Sequence, residues 1–320
     1  MSPSHALAPE FASQPSFTLP ANRLLLRGIN LLLRLQRRGF TWSDRVEVHI
    51  HSVEGETGSV VPVFEIAPKD LSGGAPALID YHGGGFFLGH AAGHLRYAER
   101  YALEAECRVF FPDYRLSVDS PFPAGFDDCY STLAWVHREA DALGVDRQRV
   151  ALIGDSAGGA LAAGVAQKAL DRGEPPVCAQ VLIYPVTDCD TKTGSVLEFD
   201  DTPYWRTASN RNMWKVYLAG SGCRASGGDA KPPAYAAPLH RESFAGLPPA
   251  RVEIAEFDPL RDEGRLYAEA LEKAGVPVEL RFVAGAIHGY DLVDGSPTAE
   301  VVLTERLEAI RGFLGKGGSS

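Results

Sequence analysis

The sequence predicts an α/β fold with a mostly parallel eight-stranded sheet flanked by helices. Three observations lead to this prediction. Short apolar or alternating runs, typical of strands, recur along residues 45–283. From residue 77 onward, stretches with helical periodicity separate these runs, which favours parallel strands with helices on both faces. At 320 residues and 45% hydrophobic content, the chain can also bury a large core.

The first two predicted strands alternate apolar and polar residues, which indicates an antiparallel hairpin at a sheet edge. The later strands are more uniformly apolar, as buried strands are. The predicted strands comprise residues 45–50, 60–66, 77–81, 108–112, 150–153, 179–185, 251–257 and 278–283. The predicted helices fall within residues 22–38, 93–104, 125–143, 161–170, 258–274 and 298–314.

The chain is predicted to divide into four parts. These are an N-terminal tail and cap helix (1–44), the first part of the core (45–185), a cap insertion (186–244) and the second part of the core (245–320). Residues 1–20 contain four prolines and four serines without periodicity, which predicts a loosely ordered tail with order beginning near Ala21. The insertion is rich in glycine, proline and aromatic residues. Because aromatic side chains are costly to expose, we expect them to line a site.

Residues 22–38 form a predicted amphipathic helix. Its leucines lie largely on one face, and four arginines recur on another, namely Arg23, Arg27, Arg34 and Arg38. A helix packed over an active site and a helix lying on a membrane surface both produce this pattern. We favour packing over membrane association.

Composition excludes some classes of function. The chain has 31 basic and 41 acidic residues, so its net charge of −10 provides no basic field for nucleic acid. Its five cysteines are scattered without the spacing of metal ligands, and their odd number excludes a closed set of disulfides. They are predicted to be small buried side chains: Cys107, Cys129, Cys178, Cys189 and Cys223. No secretory signal is evident, which predicts a cytoplasmic protein.

A candidate nucleophile follows the predicted strand 150–153. There the sequence Gly154-Asp155-Ser156-Ala157-Gly158 leads into a helix of small residues. A serine held on a sharp strand-to-helix turn needs tiny neighbours, and this is the context in which the Gly-x-Ser-x-Gly pattern is meaningful. We therefore predict that Ser156 is a nucleophile and give its neighbour Asp155 a supporting role.

A glycine-rich loop follows the predicted strand 77–81. Successive glycines in His82-Gly83-Gly84-Gly85-Phe86 leave backbone N–H groups uncovered, so that they can approach a substrate oxygen. We predict an oxyanion hole formed by the N–H groups of Gly84, Gly85 and Ala157. His82 is predicted to brace this loop through hydrogen bonds, and it is also the main alternative for the general base.

The candidate acid and base lie in the C-terminal third. Asp258 closes the predicted strand 251–257, where a carboxylate can orient an imidazole, and His288 follows the last strand. Asp262, a turn into the next helix, and Glu256 are alternative acids. His49 and His51 share a strand face, but without a nearby third ligand they receive no catalytic or metal-binding role.

With these residues in place, the sequence resembles the hormone-sensitive-lipase-like (family IV) esterases, a branch of the α/β-hydrolase fold. The resemblance covers roughly residues 75–290. It is carried by His82-Gly83-Gly84-Gly85-Phe86, Asp113-Tyr114-Arg115-Leu116 with Pro121-Phe122-Pro123-Ala124, Gly154-Asp155-Ser156-Ala157-Gly158-Gly159, Asp258-Pro259-Leu260-Arg261-Asp262-Glu263 and His288-Gly289-Tyr290. In that family, the N-terminal segment and an insertion after the sixth strand form a helical cap over the site.

The resemblance implies a carboxylesterase with the triad Ser156, His288 and Asp258, in the chain order typical of α/β-hydrolases. It implies a small-molecule ester of short to medium acyl length, a monomer or homodimer, and no metal or organic cofactor. Plant gibberellin receptors resemble the family but have lost the catalytic histidine. Because His288 is present, we favour an enzyme. The natural ester, and lactonase or amidase activity, stay open.

Overall fold

The computed structural model describes residues 6–56, 58–221 and 231–315. An eight-stranded sheet runs through them in the spatial order β1-β2-β4-β3-β5-β6-β7-β8. Strand β2 is antiparallel to β1 and β4, and every other neighbouring pair is parallel, which confirms the predicted fold class. The strands are β1 (Val46–Glu54), β2 (Val60–Pro68), β3 (Ala75–Tyr81), β4 (Arg108–Pro112), β5 (Val145–Asp155), β6 (Ala179–Ile183), β7 (Ala250–Phe257) and β8 (Val278–Ile287).

Helices cover both faces of the sheet. They are α1 (Arg23–Arg37), α2 (Ala92–Glu104), α3 (Ala124–Arg138), α4 (Ala140–Leu143), α5 (Ala157–Arg172), α6 (Gly194–Glu198), α7 (Thr207–Tyr217), α8 (Arg261–Lys273) and α9 (Pro297–Gly315). The single helix predicted over 125–143 is interrupted at Glu139, which ends α3 and begins α4. Helix α5 starts four residues before its first leucine, because alanines and glycines open it.

Alternation along the central strands builds a core on each face of the sheet. On β5, Val150 and Leu152 point into a cluster with α3, α5 and α8, whereas Ala151 and Ile153 point into a cluster with α2 and α9. All four side chains are at most 1% exposed. A strand buried on both faces is therefore uniformly apolar, as the sequence pattern indicates.

The predicted burial of the cysteines is confirmed for three of the four that the structure describes. Cys107, Cys129 and Cys189 are buried, and Cys178 is half-buried. Cys223 lies outside the described residues.

The N-terminal segment differs from its prediction. Residues 6–20 are packed onto the domain, so the prediction of a loosely ordered tail up to Ala21 is wrong for them. Phe11 is fully buried in the core. The N–H of Ala8 donates to the carbonyl of Gly285 at 3.0 Å. This segment lacks periodicity because tertiary contacts, and not a helix or strand, hold it in place.

Candidate active site

The turn between β5 and α5 holds Ser156 in a strained conformation. Its φ of 53° and ψ of −116° lie in a region that side-chain-bearing residues rarely occupy. Its glycine neighbours are required by space. A Cβ on Gly154 would lie 2.2 Å from the carbonyl oxygen of Gly158, and one on Gly158 would lie 1.7 Å from that of Tyr81. Glycine at both positions lets the turn lie against β3 with the serine projecting from it.

Ser156, His288 and Asp258 form one hydrogen-bonded chain. The Ser156 Oγ lies 2.9 Å from His288 Nε2, and His288 Nδ1 lies 2.8 Å from Asp258 Oδ2. The three residues are at most 7% exposed. Asp258 Oδ1 also accepts the N–H of Leu260 at 2.8 Å, which fixes the carboxylate. Because the carboxylate accepts the Nδ1 proton, Nε2 is free to take the proton of the serine.

The alternative acids are engaged elsewhere. Asp262 Oδ2 accepts the N–H of Ser195 at 2.8 Å, and Asp262 Oδ1 pairs with Arg261 at 3.0 Å. Glu256 Oε2 accepts the N–H of Gly285 at 2.7 Å. In the described part of the chain, neither carboxylate is hydrogen-bonded to His288. The geometry therefore favours Asp258, the carboxylate that closes β7.

His82 lies behind the glycine loop. Its Nδ1 donates to the carbonyl of Gly83 at 2.7 Å, and its ring stacks on Tyr114 with 4.3 Å between ring centroids. The Tyr114 hydroxyl donates to the carbonyl of His82 at 2.7 Å. Burial, together with the neighbouring His90 and His94, lowers the pKa of His82 to about 3. A neutral ring held in this way suits the bracing role better than that of the general base.

The glycine loop presents unpaired backbone donors to the serine. Gly84 and Gly85 have φ values of 110° and 61°, and both line the same cavity as Ser156. The carbonyl of Gly84 accepts the N–H of Leu88 at 2.8 Å, which closes a tight turn. Among the described residues, the N–H groups of Gly84, Gly85 and Ala157 have no hydrogen-bond acceptor. Ala157 also opens α5, whose N-terminal end favours negative charge.

A mostly apolar cavity of about 180 Å³ opens above the serine. Its walls include Phe17 and Leu33 from the N-terminal region, and Tyr204 and Trp205 from the segment between α6 and α7. The Trp205 ring centroid lies 5.6 Å from that of His288. Tyr204 and Trp205 thus line the site, as expected of aromatic residues in this segment.

Two further aromatic residues of this segment have a different position. Trp214 and Tyr217 are buried beneath Phe86, the residue that follows the three glycines. Tyr217 stacks on Phe86 with ring centroids 3.7 Å apart. These two side chains therefore support the glycine loop instead of lining the cavity.

Behind Ser156 lies a buried polar cluster, of which sequence reasoning named only Asp155. Asp155 Oδ1 accepts the N–H of Gly83 at 2.7 Å, and its Oδ2 lies 3.5 Å from His94 Nε2. Although burial raises the pKa of the Asp155 carboxyl, the His94 ring and the Gly83 N–H bring it below its usual value. The cluster continues to Tyr184, whose hydroxyl donates to Asp291. Asp155 thereby ties the turn at Ser156 to the glycine loop.

Asp155→Ala is expected to lower kcat/KM about 10- to 100-fold, because it leaves the buried N–H of Gly83 without its acceptor and loosens the glycine loop, the candidate oxyanion hole. Asp155→Asn keeps an amide oxygen at that position and is expected to lose less than about tenfold. Ester hydrolysis and thermal unfolding of both variants test this prediction. Equal losses in the two variants would mean that the charge of Asp155, and not its acceptor, is what matters.

Asp80, a neighbour of this cluster, is expected to make the free energy of unfolding depend on pH. It is 6% exposed on β3, and burial together with the negative charge of Asp155 raises the pKa of Asp80 to about 8. An ordinary carboxyl group in the unfolded chain ionises near pH 4. Between these values, the folded protein keeps a proton that the unfolded chain releases. This stabilising contribution is complete below the unfolded pKa and is lost as the pH rises through about 8.

Asp80→Asn removes the ionisable group and is expected to flatten this profile. The free energy of unfolding of the variant minus that of the wild type should rise between about pH 5 and 8, by at most about 1.4 kcal/mol per pH unit, and level off above. Urea denaturation at several pH values measures the difference. Parallel profiles for the two proteins would contradict the prediction.

Among the residues that the structure describes, two groups of side chains have the donor types of metal sites. In each group, the donor atoms lie within 4.8 Å of one another: Asp188, Cys189, Asp190 and His240 in the first, and His82, His90 and Asp113 in the second. In the first, Asp188 Oδ1 and His240 Nε2 form an ion pair at 2.8 Å. In the second, Arg37 Nη1 donates to His90 Nδ1 at 2.8 Å, and a cation at that distance opposes a metal ion.

Comparison with known proteins agrees with this geometry. A family model described as alpha/beta hydrolase fold matches residues 78–292. Esterase LipI of Mycobacterium tuberculosis is 39% identical over 241 residues, which cover 75% of this chain and 73% of that protein. Carboxylesterase NlhH of the same organism is 39% identical over 250 residues, covering 77% and 75%.

Solved structures give the same result over nearly the whole chain. A bacterial heroin esterase has a TM-score of 0.88 at 35% identity, covering 97% of this chain and 98% of its own. An esterase from the archaeon Pyrobaculum calidifontis has a TM-score of 0.78 at 33% identity, covering 91% of both chains. Because the family model spans more than half of the chain and these relatives match along most of their length, the chain belongs to the α/β-hydrolase fold family and is a carboxylic ester hydrolase of its hormone-sensitive-lipase-like branch.

Proposed function

We propose that this protein is a serine carboxylesterase that hydrolyses short- to medium-chain acyl esters through a covalent acyl-enzyme. The observation that carries the proposal is the hydrogen-bond chain from Ser156 through His288 to Asp258, which opens into an apolar cavity. A hydroxyl beside an oriented imidazole is what attack on an ester carbonyl requires. Since the chain supplies its own base, the proposal includes neither a metal nor an organic cofactor.

In the acylation half, Ser156 Oγ attacks the ester carbonyl carbon while His288 Nε2 takes the hydroxyl proton. Asp258 accepts the hydrogen bond from the Nδ1–H of His288 and stabilises the imidazolium. The carbonyl oxygen becomes an oxyanion, to which the N–H groups of Gly84, Gly85 and Ala157 donate hydrogen bonds. Loss of one such donor costs about 10²- to 10³-fold in rate. His288 then protonates the leaving alcohol as the ester C–O bond breaks.

In the deacylation half, water takes the place of the alcohol. His288 removes a proton from the water, which attacks the acyl carbon through a second oxyanion. Breaking the bond to Ser156 Oγ releases the carboxylic acid and returns the proton to the serine. In both halves, His288 Nε2 first accepts a proton and then donates it.

The size of the cavity supports short acyl groups. Its volume of about 180 Å³ is near that of an engineered cavity of about 150 Å³ that admits benzene in another protein. Trp205 and Tyr204 line it beside the triad. A short acyl group fits inside such a space, whereas a long chain must extend past its mouth. We therefore propose that the enzyme prefers acyl chains much shorter than those of triglycerides.

The predicted division of the chain belongs to the same proposal. Between β6 and β7 the chain leaves the sheet, which supports a cap insertion at 186–244, and Leu33 of α1 reaches the cavity, which supports a cap contribution from 1–44. Residues 45–185 and 245–320 then form the core. Action in the cytoplasm, as a monomer or a homodimer, stays a prediction.

A series of p-nitrophenyl esters from acetate to palmitate tests the proposal. We expect kcat/KM to be highest for the short chains and about 100-fold lower for palmitate. A fluorophosphonate should inactivate the enzyme and add its mass to the peptide that contains Ser156. Hydrolysis without labelling, labelling at another serine, or a preference for palmitate would contradict the proposal.

A further inference from the structure

Helix α1 has an apolar side that the described part of the chain leaves exposed. Its inner side packs on the domain through Leu26, which is fully buried, and Leu33, which lines the cavity. Five other leucines of this helix are between 48% and 75% exposed: Leu24, Leu25, Leu31, Leu32 and Leu35. We call these five residues the leucine stripe.

The stripe forms one continuous surface. At 3.6 residues per turn, its members span an arc of about 120° around the helix axis, with Gly28 in the middle. Gly28 is exposed, and a Cβ added there would have no neighbour within 4 Å. No side chain therefore interrupts the arc. Single exposed leucines are common on protein surfaces, but five on one helix face form a patch of the kind that contacts a partner.

Arginines accompany the stripe without acidic residues. Arg23, Arg27, Arg34 and Arg38 are exposed, and the sequence from Arg23 to Arg37 contains no aspartate or glutamate. Arg27 pairs with Asp119 of a neighbouring loop at 2.6 Å. Within the described ranges, Arg23 and Arg34 have no ion pair. The positive charge of α1 therefore contrasts with the net charge of the whole chain, which is −10.

The residues of the printed sequence that the structure does not describe include few apolar side chains that could cover the stripe. Residues 1–5, 57, 222–230 and 316–320, which the structure does not describe, are small or polar apart from Met1 and Cys223. In a two-fold contact between antiparallel α1 helices, the arginines of one copy would lie beside those of the other. Charge complementarity therefore favours an acidic partner with an apolar interior.

We propose that the leucine stripe docks on an anionic phospholipid surface, with α1 lying in the plane of the headgroups. The leucines would enter the boundary with the acyl chains while the arginines meet lipid phosphates. Among the described residues, no helix is long and apolar enough to span a bilayer, so the contact is superficial. Phe17, which is 43% exposed, and Leu33 of α1 both line the cavity.

Vesicle flotation tests the proposal without reference to activity. The full chain is mixed with vesicles of equal phosphatidylcholine and phosphatidylglycerol, or of phosphatidylcholine alone, at about 0.05 and 0.5 M salt. We expect flotation with the anionic vesicles at low salt and at least tenfold less with the other three samples. No flotation with the anionic vesicles at low salt would overturn the proposal.

Two variants separate the apolar and the charged contributions. Replacing Leu24, Leu31 and Leu35 by glutamine should lower the partition coefficient about tenfold for each leucine. Arg23→Gln with Arg34→Gln should lower it about fivefold for each arginine and weaken its dependence on salt. All five side chains are exposed, so thermal unfolding should be unchanged.

Matched controls change the same kinds of residue elsewhere. Glutamine at Leu197, Leu266 and Val301, which are 38% to 68% exposed, should leave flotation as in the wild type, and so should Arg45→Gln with Arg211→Gln. An equal loss in the controls would overturn the assignment to α1. The remaining alternative is that a second copy of the chain covers the stripe. Sedimentation of the free protein measures its oligomeric state, and a dimer that dissociates in the leucine variant would establish this alternative.

Discussion

Ser156→Ala is expected to abolish ester hydrolysis, with kcat falling about 10⁴- to 10⁶-fold. The Oγ that the variant lacks lies 2.9 Å from His288 Nε2, and no other hydroxyl is hydrogen-bonded to His288 among the described residues. Binding should survive, because the cavity walls and the backbone donors stay in place. KM should therefore change far less than kcat. Steady-state rates of hydrolysis of a short p-nitrophenyl ester measure both kcat and KM.

The fold of this variant should be intact. Ser156 is 4% exposed, and alanine removes a single atom without filling new space. Ser117→Ala is a matched control, because Ser117 is 2% exposed and its hydroxyl has no hydrogen-bond partner in the described part of the chain. We expect the control to retain activity within about threefold. If Ser156→Ala retained more than a tenth of wild-type kcat, Ser156 would not be the nucleophile.

Local sequence patterns were sufficient to predict the sheet and the candidate triad. Strand alternation depends on which face of the sheet a residue points to, and this period is written into neighbouring residues. The signal for the turn at Ser156 is likewise local, since Gly154 and Gly158 are needed within a few residues of it. Each of these signals lies within one short window of the chain.

Contacts between distant segments could not be predicted in this way. Phe11 is an ordinary phenylalanine in a proline-rich segment, and only the assembled core shows that it is buried. Glu253 and Arg306 lie 53 residues apart in the sequence, but both are fully buried and paired at 2.7 Å. Neither their pairing nor their burial has a local signature, because burial depends on what the rest of the chain covers.

The amphipathic helix shows the same limit. Its leucines occur on both the inner and the outer side of α1, so periodicity predicted the helix but not which side the domain covers. Packing and surface exposure are therefore both present on one helix. The predicted packing of α1 on the domain applies to Leu26 and Leu33. The leucine stripe lies on the other side, where we propose that it contacts a lipid surface.

Asp258→Asn is expected to lower kcat about 10⁴-fold. The carboxylate accepts the Nδ1 proton of His288 at 2.8 Å and is completely buried. An asparagine can keep its oxygen on the N–H of Leu260, the bond that Asp258 Oδ1 accepts now. Its amide NH₂ then faces Nδ1, which must become the acceptor. The proton moves to Nε2, and the ring can no longer take the proton of Ser156.

The control for this variant is Asp262→Asn, on the first turn of α8. Asp262 accepts the N–H of Ser195 and pairs with Arg261, so its loss should cost some stability but leave kcat within about threefold. Ester hydrolysis and thermal unfolding of both variants separate the two effects. The reverse result, with Asp262→Asn inactive and Asp258→Asn active, would move the acid of the triad to Asp262. The order of the two losses therefore decides which carboxylate orients His288, whatever their absolute size.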